Sequence, residues 1–179
     1  MMIPMTTKLP LPAILVAALL PLGGCASRVD SGPATPSISL SGRVIVAPFR
    51  NATDDDHAGQ AFADLIGTAL AVRGLDIVML PPKPVNDLGE APPYTNEDLA
   101  EAARRHRASG IVRGTAIEFR YKTDLDGDPA AGVYVEILDP AAKNAVWHAT
   151  SSRTGLIYSS LAQTAQKASR DIVARMPLR

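Results

Sequence analysis

Three hydrophobic periods follow one another along the chain, and their order outlines a fold. Val44-Ile45-Val46-Ala47 is a short unbroken apolar run, as expected of a strand covered on both faces. Ala58, Ala61, Phe62, Leu65, Ile66, Ala69 and Leu70 then recur every three or four residues. This predicts an amphipathic helix over 57–73, ended by Gly74. Ahead of it, Thr53-Asp54-Asp55-Asp56 has capping-box spacing and puts acids at the positive end of the helix dipole. Leu75 to Leu80 reads as a second strand. A second helix opens at Thr95, with Asp98 as the box partner. Glu97, Asp98 and Glu101 lie near its start, and Arg104, Arg105 and Arg107 near its end. That polarity suits the macrodipole, and Glu101 with Arg105 makes an i,i+4 pair. From Gly110 the period shortens to two. Ile117, Phe119 and Tyr121 are predicted on one side of a strand, and Glu118, Arg120 and Lys122 on the other. Val133, Val135 and Ile137 alternate on a returning strand, and Ala145 to Ser151 form a third around Trp147. A last helix starts near Ser160, whose box partner is Gln163. It carries Leu161, Ala165, Ala168, Ile172 and Met176 on one stripe and stops at Pro177. The predicted order is β-α-β-α-β-β-β-α, a single α/β domain over 43–179 with helices covering a mixed sheet.

The N-terminal segment belongs to a different class. Its apolar stretch, Leu9 to Leu22, is broken by Pro10, Pro12 and Pro21 and falls short of the ~20 residues a spanning helix needs. Lys8, the apolar middle and the small residues before the cut describe a secretory leader over 1–24. Leu22-Gly23-Gly24-Cys25 resembles the lipobox of bacterial lipoproteins, which implies that Cys25 is lipidated on sulfur, becomes the N-terminus and is N-acylated. Several acyl chains, at about 0.8 kcal/mol per buried methylene, make a firm anchor. The mature protein is expected to be membrane-anchored and not membrane-spanning. Ala26 follows the cysteine where Asp would signal retention, so sorting in Gram-negative cells favours the periplasmic face of the outer membrane. Residues 25–42 are rich in Ser, Pro and Gly without apolar period, and read as a lipidated flexible tether spanning roughly 20–25 Å.

Charge and chemistry narrow the function. The chain holds 18 Lys and Arg, one of them Lys8 in the leader, against 18 Asp and Glu. A mature charge near −1 argues against a nucleic-acid binder. Cys25 is the only cysteine, so its lipidation leaves no thiol for redox chemistry or metal ligation. Asp54-Asp55-Asp56-His57 cannot all aim at one ion. Asp124-Leu125-Asp126-Gly127-Asp128 lacks the glycine and glutamate positions of an EF-hand and suits a hairpin turn. His57, His106 and His148 fall on separate elements. No catalytic constellation, cofactor motif or metal set is expected, and the reading is a non-enzyme. The Pro-rich loop from Pro81 to Tyr94 is long enough to serve a contact, as are the strand faces around Glu118 and Arg120. Trp147 is open between a core position and an anchor at a membrane or subunit boundary.

Several segments resemble a known group. Arg43-Val-Ile-Val-Ala-Pro-Phe-Arg-Asn-Ala-Thr, Phe62-Ala-Asp-Leu, Gly74-Leu-Asp-Ile-Val and Ala108-Ser-Gly-Ile-Val-Arg-Gly-Thr look like the N-terminal domain of TolB and its lipoprotein relatives. Those relatives include the CsgG channels and the LpoB activators of peptidoglycan synthases. Phe119 to Val133, Val146-Trp147, Ser152-Arg-Thr-Gly and Ser159 to Lys167 resemble the PelC family of outer-membrane lipoproteins. The pattern departs at Trp147-His148-Ala149 and Gly155 to Tyr158, where the family suggests Trp-Ser and Gly-Trp-Ser. The resemblance implies a homo-oligomeric ring that works with the export protein PelB. It would guide a partly cationic exopolysaccharide, the Pel polymer of biofilm matrix, to the exit channel. Acids are the natural guides for such a polymer, and the candidates are Asp124, Asp126 and Asp128, with Asp54 to Asp56 beside them. The same residues also suit a plain turn. An LpoB-like regulator of peptidoglycan synthesis is the alternative, although it would typically carry a longer tether.

Overall fold

The computed structural model describes residues 27–32, 40–87, 91–122, 127–156 and 158–178. Cys25, Asp124 and Asp126 lie outside the described residues. Seven strands form one mixed sheet in the order β1-β7-β6-β5-β2-β4, with β3 on β5. Its parallel part is β2 (Arg43–Val46) between β4 (Asp76–Met79) and β5 (Gly110–Tyr121). Val44, Ile45 and Val46 are all fully buried, which explains why this strand reads as an unbroken apolar run. The short β3 (Arg50–Asn51) lies parallel to β5 further along. From β5 onward the pairing is antiparallel, through β6 (Pro129–Leu138) to β7 (Ala145–Thr154). Helices α1 (Ala58–Val72) and α3 (Leu161–Val173) cover one face, and α2 (Asn96–His106) lies on the other.

The predicted element order is present, with β1 and β3 added. The β1 strand (Ser27–Ser31) pairs with β7 inside the stretch expected to be a structureless tether. Only Val29 reaches the core, while Arg28 and Asp30 pair with each other outside at 3.0 Å. One apolar residue in five leaves no period to detect; the open edge of β7 supplies the backbone partners instead. The chain rejoins the domain at Leu40, fully buried and bridged to Leu178, three residues before the expected start at Arg43.

The capping box at Thr53 is not formed. His57 is the N-cap of α1 and makes no side-chain cap bond, and the first turn contains no acid. Thr53 instead donates from N and Oγ1 to Asn51 Oδ1 at 3.1 and 2.8 Å. Asn51 Nδ2 donates to the Asp55 carbonyl at 2.6 Å, and the His57 amide to Asp55 Oδ1 at 2.9 Å. These local bonds consume the side chains in a turn before the helix can start. The other two boxes are complete. Asp98 and Gln163 are reciprocally bonded to Thr95 and Ser160, and Arg105 donates to Glu101 at 2.6 Å.

Strand β5 departs from strict alternation. Ala116 pairs with Val133 but Glu118 pairs with Gly132, so Ile117 is the extra residue of a bulge. Ile117 therefore turns to the same side as Glu118 and is 44% exposed, whereas Phe119 returns to the core. There Phe119 meets Phe62 of α1 edge-on, with ring centroids 5.8 Å apart and planes at 74°. Such a pair contributes about 0.5–1.5 kcal/mol beyond its buried area. Trp147 is 3% exposed and packs in the same core, opposite Ile137 on β6. That decides the reading left open by its alternating neighbours. Its side chain is a core filler, with no surface to offer a membrane or a second copy.

Coverage of the sheet is uneven. Under α2 lie Ile45 and Ala47 at β2, Ile111 at the start of β5 and Leu138 at the end of β6. Beyond it, among the described residues, the face of β5, β6 and β7 carries no helix.

Candidate functional site

That open face is built from the polar half of three alternating strands. Arg113 and Thr115 on β5, Tyr134 and Glu136 on β6, and His148, Thr150 and Ser152 on β7 all point outward from the core face. Register places Arg113 opposite Glu136, Glu136 opposite His148, and Gly132 opposite Ser152. The Arg113 guanidinium donates from Nε to Glu136 Oε1 at 2.5 Å and from Nη1 to Asn96 Oδ1 at 2.9 Å, tying the sheet to the start of α2. Burial raises the Tyr134 hydroxyl above its usual range, and the neighbouring Glu136 carboxylate adds to this. The sequence signal was present as a polar residue at every second position. It was legible only once register showed that three strands share it.

Two clefts open along this face. The first, about 400 Å³, lies between Pro93 and Tyr94 of the Pro-rich loop and Arg50, Arg113, Tyr134 and Glu136. The second, about 360 Å³, is lined by Thr53 and Asp54 on one side and by Ile117, Glu118, Arg120 and Ser152 on the other. The loop itself is held down at both ends. Tyr94 donates from its hydroxyl to the Pro81 carbonyl at 2.9 Å, and Lys83 pairs with Asp98 while its ammonium sits 5.0 Å from the Tyr94 ring centroid. The Lys83 bond, followed by the Thr95 amide and hydroxyl, lowers the Asp98 carboxyl to about 2.

The structure brings some of the sequence-predicted positions together. Asp54 and Glu118 share the second cleft, and Glu118 is paired with Arg120 at 3.3 Å. Two residues further, β5 reaches the hairpin, closed by the Lys122 amide donating to the Asp128 carbonyl at 2.9 Å. Asp128 thus sits at the base of the turn, half-buried. Asp54 and Asp56 are exposed, and Asp55 is occupied by the His57 amide. Trp147 is remote from this surface, on the opposite face. Among the described residues no three His, Cys, Asp or Glu side chains are grouped as metal ligands, and no helix is long and apolar enough to cross a membrane.

The backbone as a whole matches a solved PelC dodecamer from Paraburkholderia phytofirmans with a TM-score of 0.70 and 26% identity. The match covers 86% of this chain and 99% of that one. The fold is PelC-like. A lipoprotein of Neisseria meningitidis, GNA1162, matches with a TM-score of 0.52 at 12% identity over 75% of this chain and 99% of its own. The hypothetical protein CT253 of Chlamydia trachomatis matches at 0.50 and 16% identity over 75% and 95%. These two show the fold alone. Neither a family model nor a curated protein matches the sequence. The match therefore extends over nearly the whole solved PelC chain.

Proposed function

We propose that this chain is a lipid-anchored protein of the outer membrane. In this reading it assembles as a ring and assists export of a partly cationic exopolysaccharide of the Pel type. The observation that carries it is the 26% identity sustained over 99% of a PelC chain solved as a dodecamer. Lipid on Cys25 supplies the anchor, and the export protein PelB is the partner at the exit. Polymer guidance comes from like charges repeated around the ring. Single exposed acids are screened beyond about 8 Å in physiological salt, so one Asp56 attracts little. A circle of copies, each presenting Asp56 and the acids at 124, 126 and 128, focuses a field onto the polymer path.

The test is complementation of a strain lacking the gene, scored by secreted polymer and biofilm matrix. Deletion abolishes export and the parental chain restores it. Cys25→Ala fails to restore it and leaves the chain uncleaved or released from the outer membrane. Replacing Asp124, Asp126 and Asp128 together by Asn keeps the fold, because Asn also suits turns, but reduces export. Undiminished export from the triple Asn chain at normal abundance makes those acids turn-formers only. Unchanged export after deletion of the gene ends the functional reading.

A further inference from the structure

The open sheet face and a second surface on the opposite side of the molecule are complementary. The outer side of the α1–α3 pair holds a groove of about 220 Å³ lined by Leu65, Ala69, Val72, Val173 and Ala174, with Arg73 and Arg170 at its rim. Val72 is 82% exposed there, a β-branched apolar residue at a helix end. Arg73 and Arg170 make no side-chain hydrogen bond or ion pair among the described residues. On the far side of the sheet the bulge pushes Ile117 into the second cleft, beside Asp54, whose carboxylate is likewise without a partner among the described residues. One face thus offers an apolar groove rimmed by free cations. The other offers an apolar knob beside a free acid.

We propose that these two surfaces meet between successive copies of the chain, the α1–α3 groove of one seated on the β5–β7 face of the next. The proposal rests on the ring reading above and specifies its contact. A closed ring of more than two members requires a heterologous contact, in which two different patches of the same chain meet. Patches on opposite sides of the sheet satisfy that requirement; a single self-complementary patch would stop at a dimer. The contact also finishes what the fold leaves undone. In α/β domains helices cover both faces of the sheet, and among the described residues the half beyond α2 lacks its layer. The neighbour's helix pair supplies that layer. Ile117 enters the groove against Val72 and Ala69, and Asp54 lies toward Arg73 and Arg170.

The experiment co-expresses two differently tagged full-length chains, Val72→Cys and Ile117→Cys, and oxidises membranes carrying both. The expected result is a covalent dimer containing both tags, absent when either variant or the parental chain is present alone. A dimer from one variant alone indicates like patches in contact and overturns the proposal. No dimer in any combination, while the parental chain still sediments as a large assembly, overturns the assigned surfaces but leaves the ring. A parental chain that is monomeric in the membrane removes the ring and this contact with it. A charge exchange gives a second reading independent of disulfide geometry. Asp54→Arg lowers the assembled fraction, and mixing with an Arg73→Asp, Arg170→Asp chain restores it. Loss without restoration counts against the pairing.

Discussion

Replacing Trp147 by Ala separates a core role from a surface role by a wide margin. A tryptophan side chain buries about 150–250 Å². At roughly 25 cal/mol per Å² that corresponds to about 4–6 kcal/mol, an upper value because the unfolded chain already hides part of this area. Removal of a buried large aromatic residue costs about 3–5 kcal/mol, including the cavity left behind. At 3% exposure, between Ile137 on the neighbouring strand and the helices above, Trp147 falls in this class. The loss is a large share of the 5–15 kcal/mol that typically holds a domain together. Urea unfolding of the detergent-solubilised chain, followed by far-ultraviolet circular dichroism, reads it directly. With a slope near 2 kcal/mol per molar, the midpoint falls by about 2 M. Trp147 is also the only tryptophan, so the parental chain reports on the same site without mutation. Its emission should be that of an apolar environment, resist iodide quenching, and shift red only on unfolding. A Trp147→Ala chain within about 0.5 kcal/mol of the parent, as for an ordinary surface site, refutes the core assignment. So does free quenching of the folded parent.

Two further predictions concern the supports of the open face. The Asp98 carboxyl titrates at about 2 in the folded chain against 3.8 ordinarily, so it contributes stability fully above about pH 4 that disappears as pH falls through about 2. Asp98→Asn should therefore lie below the parent in thermal midpoint at pH 5 and converge with it near pH 2; a constant gap across that range would discount the Lys83 pairing. Gly114→Ala places a methyl against the Tyr134 carbonyl oxygen and the Phe49 ring. A backbone oxygen cannot give way as a side-chain tip can, so the cost is about 1–3 kcal/mol or more, measured by the same urea titration. An unperturbed midpoint would show that β5 and β6 are spaced more loosely than described.

Local patterns carried most of the fold because most of its elements are locally consistent. The apolar run of β2, the 3.6 period of α1 and the boxes at Thr95 and Ser160 each need only neighbours in sequence. What escaped detection depends on partners far along the chain. The β1 strand exists because β7 has a free edge, and its single inward residue, Val29, leaves no periodic trace. The bulge at Ile117 depends on register with Gly132, and without that register simple alternation is the natural expectation. The Thr53 box failed for a different reason. Asn51, upstream of the motif, competes for the same donors. The candidate surface shows the same divide. Acids at turns were visible one by one, but the shared face of Arg113, Glu136, Tyr134 and His148 appears only when three strands are laid side by side.

The β1 strand alters the mechanics of anchoring. A coil over residues 25–42 would let the domain wander about an attachment point like a tethered float. With Ser27 fixed on Arg153, only two residue steps separate Cys25 from the sheet, a reach of about 7 Å at full extension. A lipid on Cys25 would then hold every copy at one height and with one end of its sheet toward the bilayer. Encounter between copies so anchored would be a search in a plane among molecules already upright, which would raise their effective concentration before any contact is made. If Cys25 carries lipid, each copy added to an assembly would also bring another set of acyl chains, so escape from the membrane would become harder as the assembly grew.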